Sequence, residues 1–119
     1  MQNVVPALRV TDYARSKAFY TDGLGFAVEG EHRFAPHLPV FATVIRDGLT
    51  LYLTEHTGDC KVGALVHLYV PDVDAWYDEF VRRGVPVEEA PNETIEGLRD
   101  MTVRDPDGNA LRICTNLNA

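Results

Sequence analysis

Cysteine is scarce in this chain of 119 residues: Cys60 and Cys114 are the only two. They share no metal-like spacing and are too few for a disulfide framework, so the expectation is a pair of reduced thiols in the cytoplasm. Neither has a sequence neighbour that would activate it as a nucleophile. Long apolar runs are missing too. No stretch approaches the ~18 apolar residues of a membrane span. The start, Met1-Gln2-Asn3-Val4-Val5-Pro6, has neither the basic region nor the apolar run of a signal peptide. Basic residues are few, 11 against 18 acidic ones for a net charge of −7. That balance speaks against nucleic acid as a partner, because phosphate contacts need clustered Lys and Arg. It suits a cationic partner, or it does no more than keep a small protein soluble. There is no Ser-His-Asp order, no Gly-rich phosphate loop and no Cys-x-x-Cys.

What is present is a foldable core and a repeat. Hydrophobic residues make up 45% of the chain, and a chain of this size buries roughly 65% of its unfolded surface without staples. The length suits one domain, spanning 1–119. Within it, Val10-Thr11-Asp12 opens a segment that closes at Gly23-Leu24-Gly25-Phe26. Val70-Pro71-Asp72 opens one that closes at Arg83-Gly84-Val85. Thr43-Val44 returns as Thr102-Val103, and Asp47-Gly48-Leu49-Thr50-Leu51 returns as Asp107-Gly108-Asn109-Ala110-Leu111, at offsets of 59 and 60. Two copies are too few for a solenoid, so the pattern reads as a pseudo-twofold domain with modules at about 1–58 and 62–117.

Each module reads as strand, helix, then three strands. The first strand is expected over Val4 to Val10 and its partner over Ala64 to Val70. Asp12 and Asp72 stand where a helix N-cap accepts orphan backbone N–H groups. The second helix sets Val73, Trp76, Tyr77, Phe80 and Val81 on one apolar face, with Arg82 and Arg83 in its last turn and Gly84 as its stop. The first helix is less regular, anchored by Phe19 and Tyr20 and stopped at Gly23. Asp47-Gly48 marks a hairpin turn, and Asp105-Pro106-Asp107-Gly108 marks a longer one.

Alternation gives each strand two faces. Leu8 and Val10, Leu68 and Val70, Leu51 and Leu53, and Leu111 and Ile113 form aliphatic faces suited to packing on helices. The opposite faces carry Arg9, Tyr52, Leu65, His67, Tyr69 and Arg112, a mixture typical of a cavity wall. Prolines at 36 and 39 make 29–39 a loop or irregular edge that carries His32, Phe34 and His37. Phe34 or Phe41 would stack on a planar ligand or pack into the core. Trp76 reads as a core residue or a dimer contact.

With these motifs in place, the chain resembles the vicinal oxygen chelate superfamily, which includes glyoxalase I, extradiol dioxygenases and the fosfomycin- and bleomycin-resistance proteins. The resemblance rests on Asp12 through Phe26, on Val103 through Ile113 with its Asp105-Pro106-Asp107-Gly108-Asn109 turn, and on the repeat between them. It implies an α+β fold of two βαβββ modules forming a cupped mixed sheet. In the superfamily's enzymes, a His on the first strand and a Glu after the hairpin turn bind a metal. The matching positions here are Val5, Tyr52, Leu65 and Arg112. None is a good ligand, and a guanidinium repels a divalent cation.

The resemblance is therefore to the metal-free, bleomycin-resistance-like branch, whose members bind an antibiotic without chemistry and are usually dimers. It implies a homodimeric small-molecule binder with no cofactor and no catalytic residue. The ligand-binding set is Tyr52, Leu65, His67, Tyr69, Arg112, Phe34 and Phe41. Two alternatives stay open: an enzyme (lyase, isomerase or dioxygenase) with a metal site rebuilt around His67, Glu55 or His56, and an interaction protein with a closed cavity. Arg9 and Arg112 on the cavity face would suit a carboxylate or phosphate group as well as the net charge suits a cation.

Overall fold

The computed structural model describes residues 2–118. The chain runs β1 (Ala7–Arg9), α1 (Tyr13–Ala18), a π-helical turn (Phe19–Gly23), β2 (Ala27–His32), β3 (Phe41–Arg46) and β4 (Leu49–Thr54). The plan then repeats as β5 (Leu65–Tyr69), α2 (Val73–Arg82), β6 (Glu89–Ile95), β7 (Leu98–Arg104) and β8 (Ala110–Asn116). The strands form two four-stranded mixed sheets, ordered β1-β4-β3-β2 and β5-β8-β7-β6. In each, the first strand lies parallel to the last and the other neighbours are antiparallel. This is the α+β fold of two βαβββ units expected from the repeat.

Local chemistry explains the element ends. The Asp12 and Asp72 side chains accept from Arg15 N and Ala75 N, each capping its helix. Asp47 and Gly48 have φ of 47° and 81°, the pair of positive values that a two-residue hairpin turn requires. Gly25 has φ of 79°, and a Cβ there would lie 2.7 Å from the Arg46 guanidinium, so both backbone and space demand glycine.

Several details differ from the sequence reading. β1 is three residues long rather than Val4 to Val10, because Pro6 has no N–H to give the ladder. Its carbonyl still accepts from Tyr52 N, and Val10 N donates to Thr54 O, so pairing extends one residue past each end. Glu29 to His32 belong to β2, an edge strand with a register shift between Val28 and Gly30, and only the following residues form a loop. Val81 is 54% exposed; the helical stripe has turned away from the core by its last turn. Trp76 is buried, with the Arg46 guanidinium 3.7 Å from its ring centroid, so among the described residues it is a core residue.

One hydrophobic cluster serves both halves. Leu8, Tyr20, Leu51 and Leu53 of the first half join Trp76, Phe80, Leu111 and Ile113 of the second. Polar links reinforce it. Glu79 on α2 receives two hydrogen bonds of 2.9 Å from Arg46 on β3. The Tyr20 hydroxyl donates to Asp105 at 2.8 Å. Asn109 is fully buried: its Nδ2 donates to Arg9 O, and its Oδ1 accepts from Gly63 N and Ala64 N. Both sheets thus turn their aliphatic faces and helices inward, and the opposite faces point outward.

Candidate functional site

The outward face of the second sheet follows from register. His67 lies opposite Arg112, Arg112 opposite Thr102, and Thr102 opposite Glu89, one row running across all four strands. The next row pairs Tyr69 with Cys114 and Cys114 with Asp100. This face holds a cavity of about 280 Å³ whose wall includes His67, Arg112, Asp100, Glu89, Ile95 and Leu98. Its wall is mostly charged and polar, with Ile95 and Leu98 as the apolar part, and its volume falls just below the range of drug-sized ligand pockets.

The charged side chains that line this cavity stand without partners among the described residues. Most cations of the chain are paired: Arg15 with Asp107, Lys17 with Glu31, Arg46 and Arg83 with Glu79, Arg99 with Asp74, and Arg104 with Glu88. The Arg112 guanidinium, in the middle of the sheet, has no hydrogen-bond or ion-pair partner among the described residues. Nor do the Glu89 and Asp100 carboxyl groups. Cys114 beneath them is fully buried. Burial, then the negative charge of Asp100, pushes its thiol up to about 11. Its Sγ lies 3.8 Å from His67 Nδ1. A thiol so held stays protonated at neutral pH and is no nucleophile.

The first sheet places Tyr52 opposite Ala7 and Thr43 on its own outward face. The Phe41 and Tyr52 rings meet at 4.9 Å, tilted by 50°. Phe34 stands apart, 75% exposed on the loop after β2, its ring edge-on to His32 at 4.6 Å. Leu65 is exposed at the start of β5. Tyr69 lines a separate cavity of about 600 Å³ with Pro71, Thr115 and Asn116. The expected ligand-contact residues therefore do not share one cavity: His67 and Arg112 line one, Tyr69 lines another, Phe41 and Tyr52 meet on the first sheet, and Phe34 and Leu65 stand exposed outside these groups. The sequence reading overlooked Asp100, Glu89, Ile95 and Leu98. Two of these were within its reach, because Met101 and Val103 face the core and alternation then puts Leu98 and Asp100 on the outside.

The donor set does not fit the superfamily's metal. At the positions that the resemblance assigns to metal ligands, Val5 and Leu65 offer no donor atom, and Arg112 brings a positive charge. No group of three or more His, Cys, Asp or Glu side chains able to hold a metal ion occurs among the described residues. Glu55 is committed elsewhere: its two oxygens accept from Tyr13 N at 2.9 Å and Val40 N at 3.0 Å.

Known proteins give the same answer for the fold. A family profile described as "glyoxalase superfamily protein" matches residues 1–119. Among solved structures, the chain is similar to TnmS3, an antibiotic-binding protein from Streptomyces sp. CB03234. The two share 26% identity and a TM-score of 0.78, over 98% of this chain and 97% of the other. It is similar to the bleomycin-binding protein of Streptomyces verticillus, solved with copper(II)-bleomycin, at 27% identity and a TM-score of 0.73 over 95% and 94% of the two chains. A glyoxalase/bleomycin resistance protein of Streptomyces sp. CB03234 matches at 27% identity and a TM-score of 0.76, over 94% and 98%. No curated protein matches significantly. With paired βαβββ units, the Asp-capped helices and a profile match over its whole length, the chain belongs to the glyoxalase superfamily of vicinal oxygen chelate proteins.

Proposed function

We propose that this protein binds a hydrophobic or aromatic, antibiotic-like small molecule stoichiometrically and without a metal. The observation that carries the reading is the cavity on the outward face of the second sheet, lined by Arg112, a residue that the resemblance sets at a metal-ligand position and that cannot bind a cation. The printed functions of two similar proteins, antibiotic binding and bleomycin binding, support it. The ligand-contact set of this reading is Tyr52, Leu65, His67, Tyr69, Arg112, Phe34 and Phe41. A second copy of the chain completes the cleft, because one chain divides its aromatic pair and its His67–Arg112 pair between two sheets. The protein works in the cytoplasm as one domain of two modules, about 1–58 and 62–117. Among the described residues no helix is long and apolar enough to cross a membrane.

Two measurements test this. Calorimetric titration with metal-free bleomycin gives saturable heat with a stoichiometry of ligand to protomer fixed by the shared clefts. Absence of both heat and thermal shift at high ligand concentration removes antibiotic binding. Elemental analysis of protein purified without chelator finds no stoichiometric divalent metal. A full equivalent that stabilises the fold overturns the metal-free mechanism.

A further inference from the structure

The cavity of the second sheet holds charges of both signs that do not satisfy one another. Asp100 is only 8% exposed, lines the cavity, and has no hydrogen-bond or ion-pair partner among the described residues. Its carboxyl oxygens still meet the solvent of the cavity, since among the described residues only the Ser16 hydroxyl is a buried side-chain polar atom without a partner, so the charge stays available to a ligand of opposite sign. Arg112 is a diagonal neighbour, two residues from Cys114, which stands opposite Asp100. Diagonal positions are within reach of long side chains, yet no ion pair joins the two. Glu89, on the edge strand, extends the acidic side of the cavity, and Ile95 and Leu98 supply its apolar surface.

We infer that this cavity recognises a small zwitterionic ligand, with a protonated amine held by Asp100 and Glu89, an anionic group held by Arg112, and an apolar body against Ile95 and Leu98. The inference rests on the binding function proposed above and specifies its ligand class. A guanidinium takes a carboxylate through two parallel N–H donors. A carboxylate takes an ammonium group through charge-assisted hydrogen bonds. A volume of about 280 Å³ accommodates a single-ring zwitterion, or one such group of a larger ligand. A ligand lacking either charge forfeits the charge-assisted hydrogen bonds at that end, so both charges contribute to selection. The net charge of −7 adds a field that attracts the cationic end, and Arg112 fixes the orientation.

The test uses three matched probes: phenylalanine, N-acetylphenylalanine and phenylalanine amide. Each is titrated into the full chain and followed by NMR chemical-shift changes at the β7 and β8 amides. Phenylalanine is expected to bind at least tenfold more tightly than either derivative. Asp100→Asn abolishes the preference for the free amine and keeps the preference for the carboxylate, and Arg112→Gln does the reverse. Glu89→Gln, on an exposed edge, weakens amine recognition severalfold and guards against a folding defect in the Asp100 variant. Equal binding of all three probes, or an amine preference that survives Asp100→Asn, overturns the inference. So does failure of every probe to bind. The broader binding function is judged separately by the bleomycin titration, so it can stand when this inference falls.

Discussion

Two cysteines of one chain differ in everything that governs reactivity. Cys60 is partly exposed at the end of a polar turn, whereas Cys114 is fully buried and its thiol is pushed up to about 11. At pH 8 only about one Cys114 in a thousand is a thiolate. Iodoacetamide at pH 8 is therefore expected to label Cys60 alone, with Cys114 reacting only after denaturation; peptide mass mapping checks this. Tyr20 makes a related prediction at high pH. Burial, with Asp105 beside it, raises this hydroxyl well above its usual 10.0. The unfolded chain releases that proton near 10 while the folded chain keeps it. Stability from this group is thus complete below pH 10 and is lost as pH rises beyond it. Cys114 acts in the same sense from its usual 9.0 upward. Thermal unfolding is expected to shift down between pH 8 and pH 11, and Tyr20→Phe to weaken that dependence. The same substitution costs about 1 to 2 kcal/mol at pH 7 by removing the bond to Asp105.

At the scale of elements, the two helices share an N-cap but not a packing. α2 has ten residues and buries Val73, Trp76 and Phe80. α1 has six, buries Tyr13 and Ser16, and widens into the π-helical turn that delivers Tyr20 to the core. The start of α2 is held twice, by Asp72 and by Thr115 Oγ1, which accepts from Val73 N. α1 also has a second hold, Glu55 accepting from Tyr13 N. Each cap substitution, Asp12→Ala or Asp72→Ala, is expected to cost about 1 kcal/mol in urea unfolding. Glu55→Gln reaches further, because its carboxylate joins α1 to the residue ahead of β3. The strands were legible from alternation, since residues such as Leu51, Leu53, Leu111 and Ile113 face the core on both hairpins. β6 was not, because Pro91 and two register irregularities blur its period.

At the scale of the molecule, the shared core makes the halves interdependent. Phe80 is fully buried on α2 and belongs to the cluster that contains Tyr20 and Leu51 of the other half. Phe80→Ala is expected to cost about 3 to 5 kcal/mol and to lower one cooperative transition rather than split it in two; circular dichroism and tryptophan fluorescence should report the same midpoint. Arg46 is a second fastener, bonded to Glu79 and the Leu24 carbonyl and stacked on Trp76. Arg46→Met leaves Glu79 with Arg83 alone and is expected to destabilise by about 2 kcal/mol in the same assay. The proposed second copy is read by sedimentation: a dimer of this chain is expected at micromolar concentration, and a monomer there overturns the two-chain cleft.

The amino-acid sequence by itself determined the repeat, the helix caps, the hairpin turns, the core-facing residues and the non-ligating side chains at the superfamily's metal positions. All but the last are set by neighbours a few positions apart or by a fixed period; the last follows from the family resemblance. Only the tertiary structure decided that Arg112 stands beside Asp100 and Glu89 while Tyr52 and Phe41 form a separate aromatic pair on the other sheet. It also decided that Trp76 lies under Arg46 in a common core. Those relations depend on strand register and on how two sheets share one set of helices. Alternation tells which face a residue takes, but which residues then meet across strands is fixed by pairing between segments far apart in the chain.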